Sequence, residues 1–199
     1  MAVEFLCHAP WDIPALDPDR VGQLLDLALA HHCRLDGMAN VFRWQLVWTD
    51  QHLIRRFNQQ TRGVDKATDV LSFPLIHFPP GPGSAVLAEA DAGDDLPDTP
   101  GPGVAWRDLR RPPNADQSPD NRNTDAGTAL LELGEVYICR ELCFAQAQQI
   151  GHTAAAEFWR LAVHGLLHLF GYDHETSAAD EKRMQLREDE LWGLLVAQL

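Results

Sequence analysis

The 199-residue chain lacks an apolar run long enough to cross a membrane. Its first eleven residues include an acid and lack the basic and apolar stretches of a signal peptide. Its four cysteines are scattered and form no C-x-x-C pair. We therefore expect four reduced thiols in a cytoplasmic protein without a membrane partner.

Basic residues are also scarce. The 16 lysines and arginines face 29 acids, and the net charge is −13. This balance argues against a generic nucleic-acid binder, because neutralising phosphates takes basic side chains. The excess acid is spread along the chain, so any contact with nucleic acid has to be a local basic patch.

Apolar residues are plentiful at 45% of the chain, which is enough for the core of one domain over residues 1–199. The segment 79–131 breaks the pattern, because it holds nine of the 13 prolines and six of the 14 glycines. Its acids follow no period. We expect a long, mostly disordered insertion there.

Outside this segment, strand-like and helix-like patterns alternate, which indicates an α+β fold. Strands are predicted at Val3–Cys7, Val41–Trp48, Asp69–Phe73 and Leu133–Ile138. Helices are predicted after Asp17, after Thr49 or Asp50, over Arg140–Ile150, from Thr153 to about Phe170, and over Asp180–Leu195.

The most informative run reads H-x-x-x-H-x-x-G-x-x-H from His164 to His174. His164 and His168 share one face of the predicted helix. Gly171 can adopt the positive φ that ends a helix and returns the chain towards His174. Three imidazoles on one zinc leave a fourth position open, which is typical of a catalytic site.

The spacing matches the long metzincin signature except after the first histidine, where Gly165 replaces the glutamate that acts as the peptidase base. A single histidine on an apolar helix is more often a satisfied core residue. Three histidines on one ligand template, on a helix that is apolar nearly all round, favour a metal site.

Two stretches resemble the YbeY endoribonucleases. Arg62–Pro74 reads R-G-V-D-K-A-T-D-V-L-S-F-P and is similar to the family's R-G-x-D-x-x-T-D-V-L-S-F-P. His164–His174 is similar to its H-G-x-L-H-L-x-G-Y-D-H, and Leu133–Ile138 more weakly to its L-G-D-I-x-I. Glu135 stands where the family has aspartate, and the 79–131 insertion is longer than the family's loop.

The resemblance implies a small mixed four-stranded sheet with about five helices and a zincin-like helix whose three histidines, His164, His168 and His174, bind one zinc. It also implies hydrolysis of single-stranded RNA, in 3′-end maturation of small-subunit ribosomal RNA and in ribosome quality control. Partners would be that RNA and the small subunit with its proteins. The family's functional arginine falls on Arg62.

Arg62 suits catalysis and substrate binding, because a guanidinium grips phosphate oxygens in a fork. Lys66, four residues further along the chain, adds positive charge near Arg62 and is a second substrate-binding candidate. The plainer interpretation of Arg62 is a solvated charge, or a structural ion pair with Asp65 or Asp69. Asp173 is interpreted as a turn residue or as one that orients a histidine.

Three functions compete at this stage. The leading one is a zinc-dependent endoribonuclease. The second is a non-catalytic ribosome-assembly factor with a structural zinc. The third is a metallohydrolase of another substrate, including peptides, which Gly165 disfavours.

Overall fold

The computed structural model describes residues 3–14, 16–35, 42–76, 131–175 and 177–196, with the side chains of 34 and 35 left out. The insertion predicted over 79–131 lies outside these residues except for Leu131, which begins a strand. The described elements are β1 (Val3–Cys7), α1 (Pro18–Leu35), β2 (Phe42–Thr49), α2 (Gln51–Arg62), β3 (Val70–Pro74), β4 (Leu131–Cys139), α3 (Arg140–Ile150), α4 (Ala154–Leu169) and α5 (Ala178–Val196).

The strands form one sheet in the order β1-β2-β4-β3. β1 and β2 are parallel, as are β2 and β4, whereas β3 and β4 are antiparallel. The predicted α+β fold with a mixed four-stranded sheet is therefore confirmed. The β2–β4 register shifts between Arg43 and Trp44, where β4 reaches Gly134 at φ 137°. A Cβ at Gly134 would overlap the carbonyl oxygen of Phe73, so only glycine fits there.

The helix that carries two of the three histidines lies in the core, as its apolar pattern predicts. α4 packs against β3 and β4 on one side and against α3 and α5 on others. Its largest side chains, Phe158 and Trp159, are fully buried. A helix enclosed in this way has little freedom to shift, which fixes the positions of His164 and His168.

A smaller cluster holds α2 on the opposite face of the sheet. The ring of Phe57 contacts those of Tyr137 and Phe73 at centroid distances of 4.9 and 6.3 Å. Ile54 and Leu71 are buried beside them. This packing sets where α2 ends, and therefore where Arg62 lies.

The ends of α2 follow from local chemistry. The Asp50 carboxylate accepts hydrogen bonds from the backbone N–H groups of His52 and Leu53, which confirms the predicted N-cap. Gly63 ends the helix at φ 71°. Arg62 is the last residue of this helix. Within the described part of the chain, no helix is both long and apolar enough to span a membrane.

Candidate metal centre

His164, His168 and His174 converge as their spacing predicts. Each offers one ring nitrogen, and these three atoms lie within 4.8 Å of one another. His164 and His168 come from the last turns of α4. Gly171, at φ 79°, reverses the chain, and the N–H of Tyr172 bonds to the carbonyl of Leu167. The turn thereby returns His174 to the helix end.

The donor set fits a metal ion. Nδ1 of His164 lies 2.7 Å from Oε1 of Glu188, and because a carboxylate only accepts, Nδ1 carries the proton. Nε2 of His164 then presents a lone pair, 3.0 Å from Nε2 of His168. Burial, followed by the neighbouring His164 and His174 rings, lowers the pKa of His168 to about 4. His168 is therefore neutral near pH 7, as a ligand must be.

The packing around Gly165 gives a steric reason why the glutamate of the peptidase signature is absent from this position. A Cβ at this position would overlap Cγ1 of Val136 in β4 and stand 3.3 Å from Oγ of Ser72. Ser72 donates its hydroxyl to the Gly165 carbonyl at 3.2 Å, which binds β3 to α4. The helix lies too close to the sheet for a glutamate at this position.

A cleft of about 740 Å³ opens over the three histidines. Its walls come from the end of α2, from β3, from α4, from the turn after α4 and from the start of α5. The residues that line it are Arg62, Thr68, Asp69, Val70, Ser72, Pro74, Ile76, Arg160, Leu161, His164, His168, Gly171, Tyr172, Asp173, His174, Glu175, Asp180 and Arg183.

Arg62 lies on the cleft wall with an exposed side chain. The two acids proposed as its structural partners are otherwise engaged. Asp65 forms a bidentate pair with Arg55. Burial acts to raise the pKa of Asp69, but hydrogen bonds from Gln146, Thr68 and a backbone N–H outweigh it, and the pKa is lowered. Among the described residues, Arg62 has no ion pair. An exposed, unpaired guanidinium fits a solvated charge as well as a group that binds substrate.

Lys66 lies in the loop after α2, but its side chain is not part of the cleft wall. Its backbone carbonyl accepts a hydrogen bond from the Asn58 side chain at 2.7 Å, which ties the loop to α2. A substrate contact for Lys66 stays a prediction.

Two cleft arginines were not singled out from the sequence. Arg160 lies one helical turn before His164, and its guanidinium bonds to the fully buried carboxylate of Glu157. Arg183 pairs with Asp180 at the start of α5. The i, i+4 spacing of Arg160 and His164 is the signal that would have found the first.

Glu157, Asp173 and Glu175 are acids close to the three histidines in sequence, so each is a candidate proton acceptor. Glu157 is buried away from the cleft, whereas Asp173 and Glu175 line it. Asp173 accepts a hydrogen bond from the backbone N–H of Glu175 at 2.9 Å, as expected of a turn residue.

Fold and site together define a small α+β protein with a three-histidine centre that could hold a metal ion at the floor of an open cleft. The family model described as Endoribonuclease YbeY matches residues 14–195. The chain belongs to this family, and its homologues indicate a nuclease, that is, a hydrolase.

Individual proteins of this family are similar to the chain over most of its length. Endoribonuclease YbeY of Roseiflexus sp. (strain RS-1) is 33% identical over 168 residues, covering 84% of this chain and 79% of that protein. The Leptospira interrogans protein of the same name is 35% identical over 142 residues, covering 71% and 79%. A solution structure from Thermotoga maritima aligns with a TM-score of 0.52 over 98% of this chain and 90% of that one; at 19% identity it shows the fold alone.

Proposed function

We propose that this protein is a zinc-dependent endoribonuclease that cuts single-stranded RNA. The observation that carries the proposal is the convergence of three imidazoles on the floor of a cleft whose wall holds Arg62. His164, His168 and His174 are the proposed ligands. Family membership supports the biological setting: cytoplasmic 3′-end maturation of small-subunit ribosomal RNA and ribosome quality control, with that subunit and its proteins as partners.

A zinc ion bound here supplies a water of lowered pKa and a Lewis acid for a phosphoryl oxygen. Arg62 binds phosphate oxygens through its planar fork and holds the scissile phosphate over the histidines. Its charge is available because Asp65 and Asp69 bond elsewhere. Lys66, in the adjoining loop, attracts the phosphate backbone of the approaching RNA.

One side chain on the cleft wall is placed to accept a phosphate. The wall holds the carboxylates of Asp69, Asp173, Glu175 and Asp180 and also three guanidinium groups, those of Arg62, Arg160 and Arg183. Two of them are held by carboxylates, whereas Arg62 has no such partner within the described residues. Arg62 is therefore the best placed of the three to accept a phosphate.

The test combines metal analysis with RNA cleavage. Protein purified without chelator is expected to carry one zinc per chain and to cut a single-stranded ribosomal RNA fragment until the metal is removed. Arg62→Ala should lower the cleavage rate about 100-fold, as expected when one transition-state donor is lost. Arg56→Ala, a neighbouring α2 arginine outside the cleft wall, is the matched control and should cut normally.

Other outcomes have definite meanings. One zinc without cutting would favour the ribosome-assembly factor, especially if an Arg62→Ala, His164→Ala double variant still restored assembly in cells. Chelator-sensitive peptide cleavage would favour a peptidase, against the steric exclusion of a base at Gly165. Protein that binds no metal would contradict the proposal at its centre.

A further inference from the structure

We propose that Glu188, on α5, is a positioning residue for the three-histidine centre: it accepts the Nδ1–H of His164 and so directs Nε2 of that ring towards the metal. The inference rests on the proposed metal site. It concerns a residue outside both sequence motifs, on a different helix from the histidine that it contacts.

The geometry of His164 carries the first step. One ring nitrogen lies 2.7 Å from Oε1 of Glu188 and the other 3.0 Å from Nε2 of His168. The two nitrogens therefore have different tasks, one donating to the carboxylate and one facing the ligand cluster. Metal-binding histidines regularly donate their second N–H to a carboxylate, which fixes the tautomer and the orientation of the ring.

The placement of Glu188 on α5 carries the second step. Met184, Leu191 and Leu195 are buried where this helix packs into the core. Residue 188 continues the same i, i+3, i+4 stripe, so an acid stands where packing alone would favour an apolar side chain. Its side chain is only 31% exposed. A carboxylate so placed is only partly solvated, and His164 is the group that it meets.

The competing explanation is a structural ion pair that merely joins α5 to α4. Glu188 and Arg160 line the same hollow of about 310 Å³ between these helices, so a general electrostatic role is the alternative. The two explanations differ in what Glu188 acts on. A positioning role changes metal affinity, whereas a structural role changes the stability of the metal-free protein.

The experiment measures zinc affinity by competition with a chromogenic chelator, together with the melting temperature of metal-free protein. Glu188→Ala should bind zinc 10- to 100-fold more weakly, the usual effect of losing such a partner, with its metal-free melting temperature nearly unchanged. Glu188→Gln keeps an acceptor oxygen, so its zinc affinity should lie between those of the wild type and Glu188→Ala. Glu181→Ala removes an exposed acid from the same helix and should bind zinc like the wild type.

Cobalt(II) in place of zinc gives a second readout, because its visible absorption depends on ligand geometry; a shifted spectrum in Glu188→Gln is expected. Equal zinc affinity in Glu188→Ala and wild type would overturn the inference while leaving the proposed nuclease intact. If Glu188→Ala does not fold, Glu188→Gln with wild-type affinity and spectrum would overturn it equally. A wild type that binds no zinc would overturn the proposed function, and this inference with it.

Discussion

Replacing Gly165 with alanine should destabilise the protein even though alanine is the better helix former. A Cβ there would overlap Cγ1 of Val136 and lie 3.1 Å from Cγ2. Val136 cannot easily retreat, because its side chain is β-branched and fully buried. Its strand, β4, is held between β2 and β3. The added methyl therefore has to be accommodated by moving α4 away from the sheet.

Two opposing contributions determine how much Gly165→Ala changes the free energy of unfolding. Overpacking a tight core costs about 1 to 3 kcal/mol. The gain in helix propensity from glycine to alanine offsets about 1 kcal/mol. Gly193, in α5, isolates the second contribution, because a Cβ there meets nothing within 4 Å. Gly165→Ala should thus be about 1 to 3 kcal/mol less stable than Gly193→Ala, and no more stable than the wild type.

Urea unfolding of metal-free protein measures these differences as shifts in midpoint at constant slope. A Val136→Ala variant adds a double-mutant cycle. Alanine at position 136 makes room for the new methyl group at position 165. Gly165→Ala should therefore cost less stability in the Val136→Ala background than in the wild type, with a coupling of about 1 kcal/mol. Zinc affinity should also fall in Gly165→Ala, since His164 is the adjacent residue on the displaced helix.

The steric argument would be refuted if Gly165→Ala were stabilised as much as Gly193→Ala. It would also fail if the two substitutions in the cycle were additive, because their side chains would then not compete for the same space.

Three further predictions concern other residues. His168→Ala should lose the metal measured by mass spectrometry, whereas His52→Ala, an exposed histidine of α2, should retain it; unchanged metal in the first would contradict the site. Burial, with smaller effects of nearby charges, lowers the pKa of His32 from 6.5 to about 3, so the unfolded chain binds this proton more readily. Stability is therefore full above pH 6.5 and falls towards pH 3, by about 2 kcal/mol between pH 7.5 and 5, and His32→Leu should remove that part of the slope in urea unfolding. Arg160→Ala leaves the buried Glu157 with the His152 ring as its remaining ion-pair partner among the described residues and should cost about 2 kcal/mol by the same assay; a cost below 1 kcal/mol would show that Glu157 does not depend on the guanidinium.

Elements with strong local signals were predicted well. Asp50 and Thr153 cap their helices through side-chain oxygens, as expected from residue type and position. Gly171 adopts the positive φ that the spacing of the three histidines predicts. In each case the determining interactions lie within a few residues along the chain, so the sequence pattern contains them.

Contacts between distant segments were not predictable in the same way. The Glu188–His164 contact joins residues 24 apart, on two helices, and depends on how α5 packs against α4. The strand order β1-β2-β4-β3 likewise depends on which edges meet. The sequence does contain one sign of the Glu188–His164 contact, because Glu188 interrupts the apolar stripe of Met184, Leu191 and Leu195. The pattern shows that an acid lies on the packed face of α5 but does not show its partner.

Residue 165 shows packing deciding the chemistry of the site. The peptidase signature requires a glutamate beside the first histidine, but the approach of α4 to Val136 admits only glycine there. A proton acceptor for hydrolysis then has to be a group on the cleft wall or the nucleophile itself. Of the acids on that wall, Asp69 is committed to three hydrogen bonds and Asp180 to Arg183. The carboxylates of Asp173 and Glu175, which flank His174 in sequence, are thus the side chains to compare in any search for the base.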